Sequence, residues 1–144
     1  MQLDTARAFG WEGGTFNVSA LQIHGRNLSA DNLLSLQTAS GIEADRATRL
    51  WELWYQQKFW NGLADVKIGQ QSLDQEFMVS SYANTFVNTM FGWAGVPSYD
   101  MPAGGPAYPL SALGVRVRGQ VTPSLTALAG VFDGNPAPGA GDPQ

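Results

Sequence analysis

The sequence predicts an all-β fold, an antiparallel β-meander of about five strands. Two features of its 144 residues support this prediction. Apolar and polar side chains alternate along several stretches, as they do on strands, where successive side chains point to opposite faces. The connections between these stretches alternate between short and long. We predict one domain that covers residues 1–144.

The composition is that of strands with one polar face and one apolar face. Hydrophobic residues make up 44% of the chain but charged residues only 14%, against about a quarter in typical soluble domains. The net charge is −4, whereas a nucleic-acid footprint needs clustered Lys and Arg, so we expect no nucleic acid partner. The absence of cysteine excludes disulfides and thiolate metal sites.

The first predicted strand covers residues 14–25, GTFNVSALQIHG. Apolar and polar residues alternate strictly from Thr15 to Ala20. The phase then slips, because Leu21 and Ile23 are apolar where polar residues are expected. A β-bulge or the end of a lipid-facing band would explain the slip.

An Asn-Gly pair joins the next two predicted strands, 48–60 and 63–71. Asn61-Gly62 favours a type I′ hairpin turn. Along the first of these strands, aromatic and aliphatic side chains fall on one side, and charged and amide side chains on the other. The hairpin therefore has an apolar, largely aromatic face and a charged face.

The last two strands are predicted at 112–121 and 125–134, on either side of the short turn Thr122-Pro123-Ser124. The stretch ALGVRVRGQV alternates most regularly, with Arg116 and Arg118 in the polar phase. The stretch LTALAGVFDG contains many small residues, so its pattern does not show which side chains of the last strand point to which face of the sheet.

Long polar or Pro/Gly-rich segments separate the short turns, at 26–47, at 72–111 and from 134 to the end. A compact soluble domain rarely contains a structureless loop of about 40 residues. Outer-membrane barrels have short periplasmic turns and long extracellular loops. The alternation of lengths therefore favours a partial wall of a transmembrane β-barrel with long extracellular loops. Within the first long segment, SADNLLSLQTASG has the start and spacing of a short helix.

Two architectures stay open from the pattern alone. In a barrel, the aromatic face meets lipid and the charged face lines a wet lumen. Aromatic residues at the membrane interfaces would then be Trp11, Trp51, Tyr55, Phe59 and Trp60. In a soluble β-sandwich that binds sugars, the aromatic face would instead pack against a second sheet.

Four stretches resemble the carbohydrate-selective porins of the OprB type. They are SALQIHGRNLSADNLLSLQTASGIEADRATRLWELWYQQ, DVKIGQQSLDQEFMVS, NTMFGWAGVPSYDMPAGGPAYPLSALGVRVRGQ and AGVFDGNPA. The resemblance runs in order from about Gly10 to the end of the chain. It implies a bacterial outer-membrane barrel of about sixteen antiparallel strands that passes glucose and related sugars by diffusion. Five strands are only part of such a barrel, so the remaining strands of a parent protein are expected partners, since an open edge in hydrocarbon leaves backbone groups unsatisfied.

The candidates for sugar contact are polar residues on the predicted lumen face, with one aromatic residue of the same phase for stacking on a sugar ring. They are Arg116, Arg118, Lys67, Glu52, Gln56 and Trp54. The alternative for each is a solvated wall residue that only keeps the lumen wet, and it is favoured for Lys67, Glu52 and Gln56 because every lumen face must be polar. The segment 72–111 could fold inward and bring Asp74, Glu76 and Asp100 to the lumen, or it could remain an exposed loop.

No enzyme, cofactor or metal site is predicted. The pairs Asp74/Glu76 and Glu43/Asp45 are two residues apart, so on a strand they share a face and lack the opposed placement of a glycosidase pair. His24 is the only histidine, and no serine carries a nucleophile signature. The expected partners are mono- or oligosaccharides and outer-membrane lipid; a homo-oligomer stays open. The expected location is the bacterial outer membrane.

Overall fold

The computed structural model describes residues 1–88 and 91–136, which form one six-stranded antiparallel sheet with the strand order β1-β2-β3-β4-β5-β6. The strands are β1 (Gln2–Asp4), β2 (Gly14–Ile23), β3 (Ala47–Phe59), β4 (Ala64–Gln71), β5 (Ala112–Thr122) and β6 (Leu125–Phe132). Each strand pairs with its neighbour in sequence, so the predicted meander is confirmed. Within the described residues no second sheet covers either face, so the β-sandwich alternative is not the architecture formed.

Among the described residues, helical structure is limited to short segments. Helix α1 (Thr5–Phe9) begins after Asp4, whose carboxylate accepts hydrogen bonds from the backbone N–H groups of Ala6 and Arg7. Helix α2 (Gly95–Asp100) lies in the segment between β4 and β5. The predicted short helix of the first long segment is a single π-helical turn, Ser29–Leu33. None of the helices in the described parts of the chain is long and apolar enough to cross a membrane.

The five expected strands are present, and β1 is an additional one. Three residues are too few for an alternating pattern to reveal β1 in the sequence. It is held to β2 by bonds in both directions, from Met1 N to Val18 O at 2.6 Å and from Val18 N to Met1 O at 2.9 Å. The predicted long segment after residue 134 lies mostly outside the described residues.

Both short hairpin turns lie where the sequence places them. Asn61 and Gly62 have φ angles of +53° and +89°, and Leu63 N donates to Trp60 O at 3.2 Å, as in the predicted type I′ turn. On the next hairpin, Thr122 pairs with Leu125 across Pro123 and Ser124.

A β-bulge lies in β3, opposite the phase slip of β2. Ser19 pairs with Glu52, but the next residue of β2, Ala20, pairs with Leu50. Trp51 is therefore the extra residue, and it has no partner across the ladder in β2. Since β2 itself has no extra residue, the bulge does not account for the apolar residues in its polar phase.

The bulge moves Trp51 off the apolar face. Leu50 and Leu53 are both exposed on that face, although they are three positions apart along the strand, so Trp51 turns towards the polar side of the sheet. There its indole packs edge-on against Tyr108, with ring centroids 6.1 Å apart. The prediction that Trp51 belongs to the outward aromatic surface with Tyr55 is therefore wrong.

The burial of the sheet is inverted relative to a soluble protein. On one face, which we call the apolar face, large hydrophobic side chains are exposed; they include Phe16, Val18, Leu53, Ile68, Leu113, Val115 and Val117. On the opposite, polar face, charged residues are buried, among them Asp65 at 1% exposure and Arg116 at 3%. Charged residues are almost never fully buried unless they are paired, so the polar face must supply partners for them.

Close approach between β3 and β4 requires glycine at position 69. Gly69 has a φ of +129°, and a Cβ there would contact Leu53 O and lie 2.8 Å from the Cα of Trp54.

We expect Gly69→Ala to lower the free energy of unfolding by more than about 1 kcal/mol, since both backbone strain and a steric clash oppose it. Gly119→Ala is the matched control, because a Cβ there meets no atom within 4 Å. Urea titration should separate the two variants; equal effects would contradict the close approach.

Candidate functional site on the polar face

Five charged side chains gather on the polar face, and we call them the ionic cluster. It consists of Asp65 and Lys67 from β4, Arg116 and Arg118 from β5, and Glu76 from the segment that follows β4. The strand register brings the first four together, because Asp65 is opposite Arg118 and Lys67 is opposite Arg116. Alternation along two paired strands therefore builds most of the cluster.

Asp65 holds both arginines. Its side chain is completely buried, and Arg118 Nε donates to its Oδ2 at 2.6 Å. Arg116 Nη1 donates to the other carboxylate oxygen, Oδ1. The side chain of Arg116 is buried as well, whereas that of Arg118 is 40% exposed. Arg116 is thus a structural cation, and Arg118 is the cation that a solute can reach.

Glu76 ties the long segment 72–111 to the wall. Its Oε1 accepts from Arg116 Nη2 at 3.0 Å and from Lys67 Nζ, and its Oε2 lies 2.6 Å from Arg116 Nε. Charge-assisted bonds of this kind are about twice as strong as neutral ones. The start of the segment is therefore folded onto the polar face, although a role for Glu76 in constricting a pore stays a prediction.

An aromatic contact next to Glu76 strengthens this attachment. Phe77 meets Phe132 of β6 edge to face, with ring centroids 6.0 Å apart. The Phe132 ring lies over Gly114 and Gly130, where a Cβ would clash with it. The two glycines leave room for this apolar anchor on the polar face.

Trp54 lies on the polar face, as its phase predicts, but its ring is not free. The residue is 7% exposed, and Lys67 Nζ lies 4.4 Å from the ring centroid. This cation–π contact holds the ammonium group in place between the indole and Glu76. The structure therefore corrects the prediction that the Trp54 ring is available to stack on a sugar.

Of the remaining wall candidates, Gln56 and Arg118 border open space, and Glu52 does not. Glu52 accepts a hydrogen bond from Asn17 Nδ2 at 3.1 Å. Gln56, Arg118 and Glu76 help to line an open recess of about 400 Å³. Gln56 and Arg118 are thus the candidates best placed to meet a solute, whereas Glu52 is engaged by its neighbour.

The other two acidic residues proposed for a constriction do not join the ionic cluster. Asp74 accepts from Ser72 Oγ at 2.6 Å and from Tyr108 N at 3.1 Å, so it joins the two ends of the segment 72–111. Asp100 is exposed at the end of α2. Of the three predicted residues, only Glu76 contacts the wall cations.

Aromatic residues gather at the end of the sheet where the short turns lie. Trp11 is exposed, and its Nε1 donates to Gln57 Oε1 at 3.0 Å. Phe59 and Trp60 are also exposed, with ring centroids 6.2 Å apart. Tyr55 lies further along β3 and packs against Phe16 of β2 at 5.8 Å. Their place at a membrane interface stays a prediction.

The anion at the centre of the cluster, Asp65, is not among the site residues that the sequence predicts. Asp65 and Lys67 lie in the same phase of the alternation along β4. Arg116 and Arg118 lie in the polar phase of the paired strand β5, so they needed a negative charge beside them on β4. That signal was present in the alternation.

The described residues contain no group of three or more His, Cys, Asp or Glu side chains that could hold a metal ion.

The first long segment is organised by one carboxylate outside the sheet. Glu43 accepts three hydrogen bonds of 3.0 Å, from Ser29 N, Ser29 Oγ and Ser40 N. These bonds fold the segment back on itself between β2 and β3. The backbone N–H of Ser29 contributes most to lowering the pKa of the Glu43 carboxyl below its usual 4.5.

The lowered pKa makes the order of this segment depend on pH. The stabilisation is fully present above the ordinary pKa of Glu43 and is lost as the pH falls through the lowered value. We expect hydrogen-exchange protection of the Ser29 and Ser40 amides, corrected for intrinsic rates, to fall over that acidic range. In Glu43→Gln the protection should be lower at neutral pH and should lose this pH dependence; an unchanged profile would contradict the role of Glu43.

Comparisons with known proteins agree with this geometry. The family model described as carbohydrate-selective porin, OprB family, matches residues 1–143. Porin B of Pseudomonas aeruginosa is 26% identical over 151 residues, which cover 95% of this chain and 31% of that protein. The high-pH structure of Pseudomonas putida OprB matches with a TM-score of 0.76 at 27% identity. The match covers 94% of this chain and 33% of the chain of that protein. The low-pH structure of the same protein, at 17% identity with a TM-score of 0.51, supports the fold alone. The chain spans about a third of the length of these relatives.

Proposed function

Since this chain belongs to the OprB family of carbohydrate-selective porins, we propose that it forms part of the wall of a bacterial outer-membrane pore for the diffusion of sugars such as glucose. The other strands belong to a longer parent protein, and they pair with the two edges of the sheet at β1 and β6. The apolar face meets lipid, and the polar face lines the lumen. Transport is passive and breaks no bond, so the protein is not an enzyme.

The observation that carries this proposal is the inverted burial of the sheet. Ile68 is 54% exposed at the middle of β4, whereas its neighbour Lys67 is only 7% exposed. In water an extended apolar surface of this kind would promote association. In a membrane the same surface is expected, because barrel strands alternate between apolar residues outside and polar residues inside.

The ionic cluster suggests how the wall meets a sugar. Three cations and two anions leave one net positive charge, and Asp65 and Glu76 hold Arg116 and Lys67 in place. Arg118 keeps an exposed guanidinium that can donate to sugar hydroxyls, and Gln56 offers an amide beside it. Glu76, which belongs to the segment 72–111, narrows the passage through the lumen. Fixed donors and acceptors that replace water on the sugar are the basis of selectivity in such pores.

The proposal is tested by recording single-channel currents of the parent protein in planar bilayers while glucose is titrated. We expect stable openings whose current falls with glucose in a saturable way. In Arg118→Met the half-blocking glucose concentration should rise about tenfold, the loss expected for a bond to a charged donor. Arg7→Met, an exposed cation on α1, should change nothing. Openings that ignore glucose would refute sugar selectivity, and the absence of openings would refute the pore.

A further inference from the structure

Lys58 of β3 is a cation on the polar face that lies outside the ionic cluster. It pairs across the ladder with Asp65, and Asp65 pairs in turn with Arg118 of β5. Residues directly opposite each other on paired strands share a face, so the three side chains form one row with Asp65 in the middle. Lys58 is exposed, whereas Lys67 on the same face is buried. Lys58 is therefore a second cation that a solute can reach.

The ammonium group of Lys58 is not neutralised by its neighbour Asp65. Both carboxylate oxygens of Asp65 are taken, Oδ1 by Arg116 and Oδ2 by Arg118. Across residues 1–88 and 91–136, the Lys58 ammonium forms no ion pair and donates no hydrogen bond. An ammonium group has three donors. All three remain for a solute.

Lys58 and Arg118 line the same open recess, which we call the wall recess. Its volume is about 400 Å³, inside the range of about 300–1,000 Å³ that small-molecule sites occupy. Strand β4 separates β3 from β5, so the backbones of the two cations lie about 10 Å apart, twice the spacing of neighbouring strands. That gap leaves space for one small solute between the two charged ends.

Arg118 keeps free donors on the other side of the wall recess. Its Nε donates to Asp65 Oδ2 at 2.6 Å, while Nη1 and Nη2 make no hydrogen bond within the part of the chain that the structure describes. Because Asp65 is completely buried and is also held by Arg116, its bond to Nε fixes the position of the guanidinium. A group that is already in position loses less conformational freedom when a solute binds.

The lining of the wall recess suits a solute that is rich in hydroxyl groups. Hydroxyl oxygens accept from ammonium and guanidinium N–H groups, and bonds to charged donors are about twice as strong as neutral ones. Gln56 adds an amide that both donates and accepts, and Glu76 adds a carboxylate. The carboxylate has more lone pairs than its bonds to Arg116 and Lys67 use, so hydroxyl hydrogens find a partner as well.

We infer that Lys58 is a further solute-contact residue of the pore, and that Lys58 and Arg118 hold one sugar molecule between them in the wall recess. The ligand class rests on the proposed function. The two cations donate to hydroxyl groups at opposite ends of the sugar, and Gln56 offers an amide beside them. A site that is open to the lumen also permits release, as conduction requires.

The test measures the block of single-channel current by glucose in the parent protein. Lys58→Met keeps most of the apolar stem but removes the donors, so we expect the half-blocking glucose concentration to rise about tenfold. Lys58→Gln keeps a neutral donor, and because neutral bonds are about half as strong, the rise should be about threefold. Lys58→Arg should stay close to the wild type. Arg7→Met removes a charge from α1, outside the row, and should change nothing.

Stable openings in salt alone verify that each variant folds. Equal shifts in Lys58→Met and Lys58→Gln would show that Lys58 acts only through its charge, and an unchanged block in Lys58→Met would show that it makes no contact. Block of wild-type strength that persists in Arg118→Met would mean that the two cations serve separate sites. Each of these results overturns the inference and leaves the proposed function intact, because the wild type is still blocked. A wild type whose current ignores glucose refutes the proposed function, and the inference fails with it.

Discussion

Replacing Arg116 by methionine should lower the free energy of unfolding of the parent protein by about 3–5 kcal/mol, the loss seen when one partner of a buried ion pair is removed. Methionine keeps most of the apolar stem of the side chain, so packing is largely preserved. The charge is what disappears, and Asp65, which is completely buried, then keeps only Arg118 as a partner. Glu76 loses its arginine as well and keeps Lys67. Guanidinium unfolding of the protein in lipid vesicles measures the change.

Arg118→Met is the matched control for that experiment. Arg118 contacts the same carboxylate, but its side chain is 40% exposed, so we expect a loss of no more than about 1 kcal/mol. The double change Arg116→Met with Asp65→Asn should recover part of the lost stability, because it removes the buried carboxylate that has lost one of its two cations. Equal effects of the two single changes would contradict the assignment of Arg116 as the structural cation.

The second large effect is expected on the apolar face. Ile68→Lys places a charge where the proposal puts lipid, and such a charge near the bilayer midplane costs about 2–4 kcal/mol. Ile68 lies in the middle of β4 between Tyr55 and Val115, so a lysine side chain at this position cannot easily reach a membrane interface. Unfolding of the parent protein in vesicles should show this loss in full.

Thr15→Lys is the control for the charge itself. Thr15 lies on the polar face, where it pairs with Gln56 in the row next to Ile68, and a lysine there can enter the lumen. Its effect should stay within about 0.5 kcal/mol. If Ile68→Lys were as mild as Thr15→Lys, the apolar face would not be in contact with lipid.

Much of the sheet could be predicted because alternation with a period of two is a local property. The β4–β5 pairing follows directly from it, since VRVR in β5 and DVKI in β4 each place their charges on one face. The type I′ turn at Asn61-Gly62 follows from the left-handed backbone that these two residues adopt most readily. The bulge at Trp51 could not be predicted, because the only phase slip noted in the sequence lies in β2, whereas the extra residue lies in β3.

The site was predictable only in part, because its geometry depends on contacts distant in sequence. The face of each wall residue follows from its phase, and this placed Lys67, Arg116 and Trp54 correctly. Whether a side chain on that face is free depends on what folds over it. Glu76 covers Arg116 from 40 residues away, and no local pattern distinguishes it from Asp74.

The most direct test of the account is the accessibility of two adjacent positions in the open channel. This chain contains no cysteine, so R118C and V117C can be introduced singly into a parent protein freed of any other cysteine. Val117 is exposed on the apolar face, and Arg118 lies on the polar face. A water-soluble, membrane-impermeant thiol reagent should reduce the current of R118C, more slowly when glucose is present, and leave V117C unchanged. A reagent that modifies V117C instead, or both equally, would contradict the assignment of the polar face to the lumen.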